Sequence, residues 1–130
     1  MRTHITFCSG LFLLVGLCGC SKPAQPPATL VQQISQADRI VVTNRYLGVA
    51  FTITGDEAGS VGRAVTSAKR DENAYAATFD WDVQFYAGTN FLTVISFQDR
   101  AFLAGGTQYS DDTGVLKAFY QKLERRTEAR

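Results

Sequence analysis

Apolar residues change their spacing repeatedly along the chain, and each change predicts an element. Leu30, Val31 and Ile34 stand at helical spacing and predict a short helix over 29–38. Residues 39–46 and 47–54 then read as two strands. In the second, Leu47, Val49, Phe51 and Ile53 alternate with Gly48, Ala50, Thr52 and Thr54, the period-two pattern of a half-buried strand. Thr54-Gly55-Asp56-Glu57 has the form of a capping box, with an acidic side chain three residues after a hydroxyl. It opens a helix to about Arg70 that sets Ala58, Val61, Val65 and Ala68 on one face. Such small side chains suit close approach to a sheet, with Gly59 and Gly62 easing it.

Residues 78–98 read strand, turn, strand, with Gly88-Thr89 suited to a tight turn that needs a positive φ at its first position. A two-residue loop pairs Ala87 with Asn90 and a four-residue loop pairs Tyr86 with Phe91, so the register is the same. Counting outward from that turn, Phe79, Trp81, Val83 and Phe85 share a face with Leu92, Val94 and Ser96. This is the expected core. The other face is mixed: Asp80, Asp82, Gln84 and Tyr86 beside Phe91, Thr93, Ile95 and Phe97. Asp99-Arg100 turns the chain into a third strand, Ala101 to Ala104, which Gly105-Gly106 ends. Asp111 or Asp112 then caps a final helix whose apolar stripe is Val115, Leu116, Phe119, Tyr120 and Leu123. The expected order is α-β-β-α-β-β-β-α. It predicts the α+β class: a small antiparallel sheet of about five strands with two or three helices packed on it.

The start of the chain follows another pattern. Arg2 precedes an apolar run from Ile5 to Leu17, and small residues end it. A transmembrane helix needs about 20 apolar residues; this shorter run has the marks of a signal peptide over residues 1–19. Leu17-Cys18-Gly19-Cys20 resembles the lipobox of bacterial lipoproteins, although that family more often has Ala, Ser or Thr where Cys18 stands. The resemblance covers about the first twenty residues. It implies cleavage before Cys20, a thioether-linked diacylglycerol on the new terminal cysteine, and acylation such as palmitate on its amine. Ser21, where that family carries aspartate for inner-membrane retention, implies an outer membrane with the folded part in the periplasm. Residues 21–28 hold all three prolines. At about 3.1 Å per residue they would make an extended tether of about 25 Å. The expected division is a signal peptide over 1–19, a lipidated cysteine and tether over 20–28, and one domain over 29–130.

Cleavage alters the chemistry left for the domain. Arg2 is the one basic residue lost of 13, so 12 remain against 12 acidic ones. That balance gives no reason to expect nucleic acid. Arg125, Arg126 and Arg130 suit the C-terminal end of a helix. His4, the only histidine, leaves with the signal peptide, as do Cys8 and Cys18, and Cys20 is consumed by lipid. Nucleophile systems built on histidine or cysteine are thereby excluded, as are ordinary zinc and copper sites. No cofactor or metal is expected. The aspartates at 80, 82, 111 and 112 lack the spacing of a calcium loop, and Gly55, Gly59 and Gly62 lack that of a phosphate loop.

Two candidate sites remain. Asp80 and Asp82 flank Trp81 at a separation of about 6.5–7 Å along a strand, within the range for acid and base in glycoside cleavage. The mixed face gathers Tyr86, Phe91, Ile95 and Phe97, with Phe102 plausible beside Phe97. It is either a binding face or a second small core under the N-terminal helix. The leading expectation is an envelope lipoprotein, attached to the bilayer through Cys20, whose domain is a non-catalytic module that binds an envelope protein. The rivals are a cell-wall glycan hydrolase using Asp80 and Asp82, and a passive structural lipoprotein.

Overall fold

The computed structural model describes residues 24–73 and 78–129. Three helices and seven strands follow in the order α1 Ala28–Ser35, β1 Arg39–Asn44, β2 Ala50–Thr54, α2 Gly55–Thr66, β3 Lys69–Arg70, β4 Trp81–Ala87, β5 Asn90–Gln98, β6 Ala101–Ala104, β7 Thr107–Ser110 and α3 Val115–Glu128. The strands form one antiparallel sheet in the order β2-β1-β4-β5-β6-β7-β3. The chain is therefore α+β.

The sheet has two strands beyond the five expected. Gly105 and Gly106, both at positive φ, do not stop the chain but reverse it, so that Ala104 pairs with Thr107 and β7 forms. The new strand then recruits another. Lys69 and Arg70 pair with Ser110 and Tyr109, which ends α2 at Thr66 rather than near Arg70. Thr54 is the N-cap residue of α2 with an extended backbone, but its side chain makes no capping bond.

The largest correction lies in the β4–β5 hairpin. The turn register is as expected, with Ala87 opposite Asn90 and Tyr86 opposite Phe91. One step further in, Phe85 faces Thr93, so Leu92 is an extra residue in a β-bulge. Side chains alternate with period two, so a slip of one residue exchanges the faces of everything beyond it. Ile95 and Phe97 therefore join Trp81, Val83 and Phe85 in the core, while Val94 and Ser96 face outward beside Gln84 and Asp82. Phe102, opposite Phe97, is buried with it.

All three helices add to this same core: Leu30 and Ile34 from α1, Ala58, Val61, Ala64 and Val65 from α2, Leu116, Phe119 and Leu123 from α3. The N-terminal helix thus packs on the core side and does not cover the mixed face. Gly62 allows α1 and α2 a close approach: a Cβ there would lie 3.2 Å from Ile34 Cγ2, a tight contact. The close approach it permits is helix to helix, not helix to sheet. Asp111 does cap α3, from ahead of the helix: its Oδ2 accepts the Leu116 N–H at 3.0 Å, and its Oδ1 accepts the N–H and hydroxyl of Thr113 at 3.0 and 2.6 Å. Arg125 and Arg126 occupy the last turn of α3, and the Arg126 guanidinium lies 4.3 Å from the centre of the Phe51 ring.

Candidate binding face

With the helices on one side, the other side of the sheet is left to solvent. Its first feature is a row across three strands. Arg39 of β1 lies opposite Tyr86 of β4, and Tyr86 opposite Phe91 of β5. The Arg39 guanidinium sits 4.3 Å from the Tyr86 ring centre and donates to the Gly88 carbonyl at 3.0 Å. Phe91 meets the same ring edge-on, with centroids 5.8 Å apart. The Tyr86 hydroxyl donates to Gln84 Oε1 at 3.0 Å. One aromatic ring is thus held by a cation, an aromatic edge and a hydrogen bond, and Phe91 is 55% exposed next to it. Val94, on the same face, is 45% exposed.

The second feature is an ion pair. Arg45 Nε and Nη2 donate to Asp82 Oδ2 and Oδ1 at 3.2 and 2.9 Å, the fork-to-carboxylate arrangement. Ser96 Oγ bridges them, accepting from Arg45 Nη2 at 2.7 Å and donating to Asp82 Oδ1 at 2.8 Å. Burial pushes the Asp82 carboxyl up. The hydrogen bonds from Arg45 and Ser96 and the charge of Arg45 outweigh it, and the net position is below the ordinary carboxylate value. The hydrogen bond to Asp82, aided by its charge, raises Arg45 in turn. Asp82 is therefore held ionised, which is opposite to what a proton-holding acid requires. Asp80 is not paired with it. It precedes β4, and its Oδ1 accepts the Thr78 hydroxyl at 2.7 Å.

Of the six residues expected to form a site, the structure places Tyr86 and Phe91 together on the open face and Asp82 on the same face. Ile95 and Phe97 are withdrawn into the core, 2% and 0% exposed. Arg39, Arg45, Val94 and Ser96 belong to the face and were not foreseen. The two arginines follow from long-range pairing of β1 with β4, which no local pattern encodes. Val94 and Ser96 had a local signal. Counted from the turn, the core would receive Ser96 while Ile95 and Phe97 went outside, and this unfavourable sorting already points to an inserted residue.

A cleft lies elsewhere, at the start of α3. It measures about 560 Å³ and is lined in part by Phe79, Gln98, Asp111 and Lys117. Phe79, expected in the core, is half-buried here. Some of its polar groups are engaged: Asp111 caps the helix, Arg100 lies 4.0 Å from Asp112, and Gln98 Nε2 donates to the Tyr120 hydroxyl at 2.8 Å, while Gln98 Oε1 is buried without a hydrogen bond among the described residues. Burial, a hydrogen bond with Glu124 and the charges of Glu124, Asp80 and Asp99 push Tyr120 up to about 12, so it is a neutral phenol near pH 7. Among the described residues, no group of three or more His, Cys, Asp or Glu side chains could hold a metal ion, and no helix is long and apolar enough to cross a membrane. The signal-peptide and lipobox residues, Cys20 included, lie outside the described residues.

Compared with known proteins, the chain matches no family model, no curated protein and no solved structure.

Proposed function

We propose that this chain is a lipid-anchored protein of a bacterial envelope, held in an outer membrane by acylated Cys20, and that its periplasmic domain is a non-catalytic module that binds an envelope protein through the open face of its sheet. The observation that carries this reading is the exposure of Phe91 and Val94 beside the locked Arg39–Tyr86 pair, on a face that no helix among the described residues covers. A soluble domain gains nothing in stability from an apolar side chain left in water, and a partner gains from burying it. Aromatic and arginine side chains supply the largest contributions at protein interfaces. Here one of each is already ordered, so less rotamer freedom is lost on binding. The Arg45–Asp82–Ser96 cluster adds directional polar groups at the other end of the face, which suits discrimination between partners more than affinity. The lipobox resemblance supplies the anchor.

The test is crosslinking and pull-down of the full lipoprotein from its native envelope, against a Phe91→Ser, Val94→Ser variant whose unfolding midpoint matches wild type. A defined protein recovered with wild type and lost with the variant is the expected result. Recovery of the same proteins with both would overturn the binding-face reading and favour the passive structural role.

A further inference from the structure

The last residues before the domain are not free. The Ala24 carbonyl accepts the Arg70 N–H at 2.6 Å, Pro26 is buried, and the Pro27 carbonyl accepts the Val31 N–H at 3.1 Å. The direction of the first bond matters. Asp71 donates inward to the Gln108 carbonyl of β7 at 2.9 Å, and neighbouring residues of a strand point their N–H groups to opposite sides. Arg70 therefore donates off the outer side of β3, and Ala24 takes the bond there, at the end of the sheet. Residues 24–28 of the proline-rich stretch are thus tied to the fold. Only Ser21, Lys22 and Pro23 stand between Cys20 and Ala24. Four residue steps, fully extended, span at most about 14 Å.

We propose that the β3 end of the sheet rests directly on the lipid headgroups, with Lys69 as a contact to their phosphates; this depends on the acylation of Cys20 proposed above. Lys69 is exposed, and neither Lys69 nor Arg70 has an ion-pair partner among the described residues. The acidic groups close by in the chain are Asp71, whose Oδ1 accepts the Asn73 N–H at 2.9 Å, and the exposed Glu72. The short connection brings the exposed Lys69 to the headgroup layer, where a cation is attracted to anionic lipid. The domain is then held against its membrane, and the open face is offered to partners that come close to the lipid surface.

The experiment uses the mature chain, residues 20–130, with its Cys20 thiol coupled to a maleimide lipid in a supported bilayer of phosphatidylcholine and phosphatidylglycerol. Neutron reflectometry reads the layer between headgroups and protein. Protein density continuous with the headgroups is expected. A flexible Gly-Ser insertion between Cys20 and Ala24 should open a water layer, and Lys69→Glu should open one only when phosphatidylglycerol is present. A distinct water layer under the unaltered chain would overturn the proposal, and an unchanged Lys69→Glu profile would remove Lys69 from it. Mass analysis of the chain taken from its native membrane is a separate result. A Cys20 without lipid would refute the anchor itself, whatever gap the coupled chain shows.

Discussion

The two faces of the sheet carry similar side chains and put them to opposite uses. On the helix side Phe97 lies between Phe119 and Tyr120, with ring centroids 5.8 and 6.1 Å away, and none of it reaches solvent. On the open side Phe91, six residues earlier in the same strand, touches Tyr86 and leaves more than half of itself in water. Strict alternation would put residues six apart on one face. The bulge at Leu92 separates them. The difference teaches that the open surface of this domain is set by a backbone irregularity, not by which residues are hydrophobic.

Emptying the core side of β5 should have the largest effect. Ile95→Ser with Phe97→Ser takes two large side chains out of the core, whereas deleting Leu92, the extra residue, keeps Thr93 opposite Phe85 and both side chains inside. Each large apolar side chain contributes about 1.5–3 kcal/mol when buried. Losing two takes away a large share of the roughly 5–15 kcal/mol that holds a domain together. The double variant should be unfolded or molten by circular dichroism; a native-like cooperative transition would place both side chains outside the core.

Single truncations compare the faces directly. Phe97→Ala should cost about 3–5 kcal/mol. Phe91→Ala should cost within about 0.5 kcal/mol, as surface changes do. Urea unfolding of both variants measures the gap, and similar costs would place the two rings in similar surroundings.

The polar end of the open face should contribute less. Asp82→Asn should destabilise by about 1 kcal/mol, the scale of a half-exposed, hydrogen-bonded ion pair. The sign with pH follows from the lowered pKa of Asp82. Its contribution is fully present above the ordinary carboxylate value of the unfolded chain and is lost as pH falls through the lower folded value. The stability difference between wild type and Asp82→Asn should therefore shrink toward zero in acid. A difference that grows in acid would reverse the assignment.

Arg39→Ala should cost no more than the ion pair does, about 0.5–1 kcal/mol for a cation over a ring. It should weaken partner capture more than it lowers the unfolding midpoint.

Much of this architecture was legible in the sequence because local patterns carry it. The three helices, the Gly88-Thr89 turn and the alternation of β1, β2 and β4 depend on spacing alone. What was missed depends on contacts between distant residues. β3 exists only because β7 offers it a partner, and β7 only because Gly105-Gly106 turns the chain instead of ending it. Arg45 meets Asp82 only after β1 pairs with β4. The reading of the site went astray at one residue, Leu92. Its two faces were assembled from the turn outward without asking which assembly buried more apolar surface. Ile95 and Phe97 on one side, against Val94 and Ser96 on the other, held that answer.

Hydroxyl-radical footprinting of the chain in its native envelope, compared with the purified domain, tests the central claim most directly. In the purified domain Phe91 and Tyr86 should be modified and Phe97 should not. In the envelope the modification of Phe91 and Tyr86 should fall, while the exposed Tyr46 of the β1–β2 turn stays reactive. Equal modification of Phe91 and Tyr86 in both settings would contradict a partner on the open face, and modification of Phe97 in the purified domain would contradict the fold that creates it.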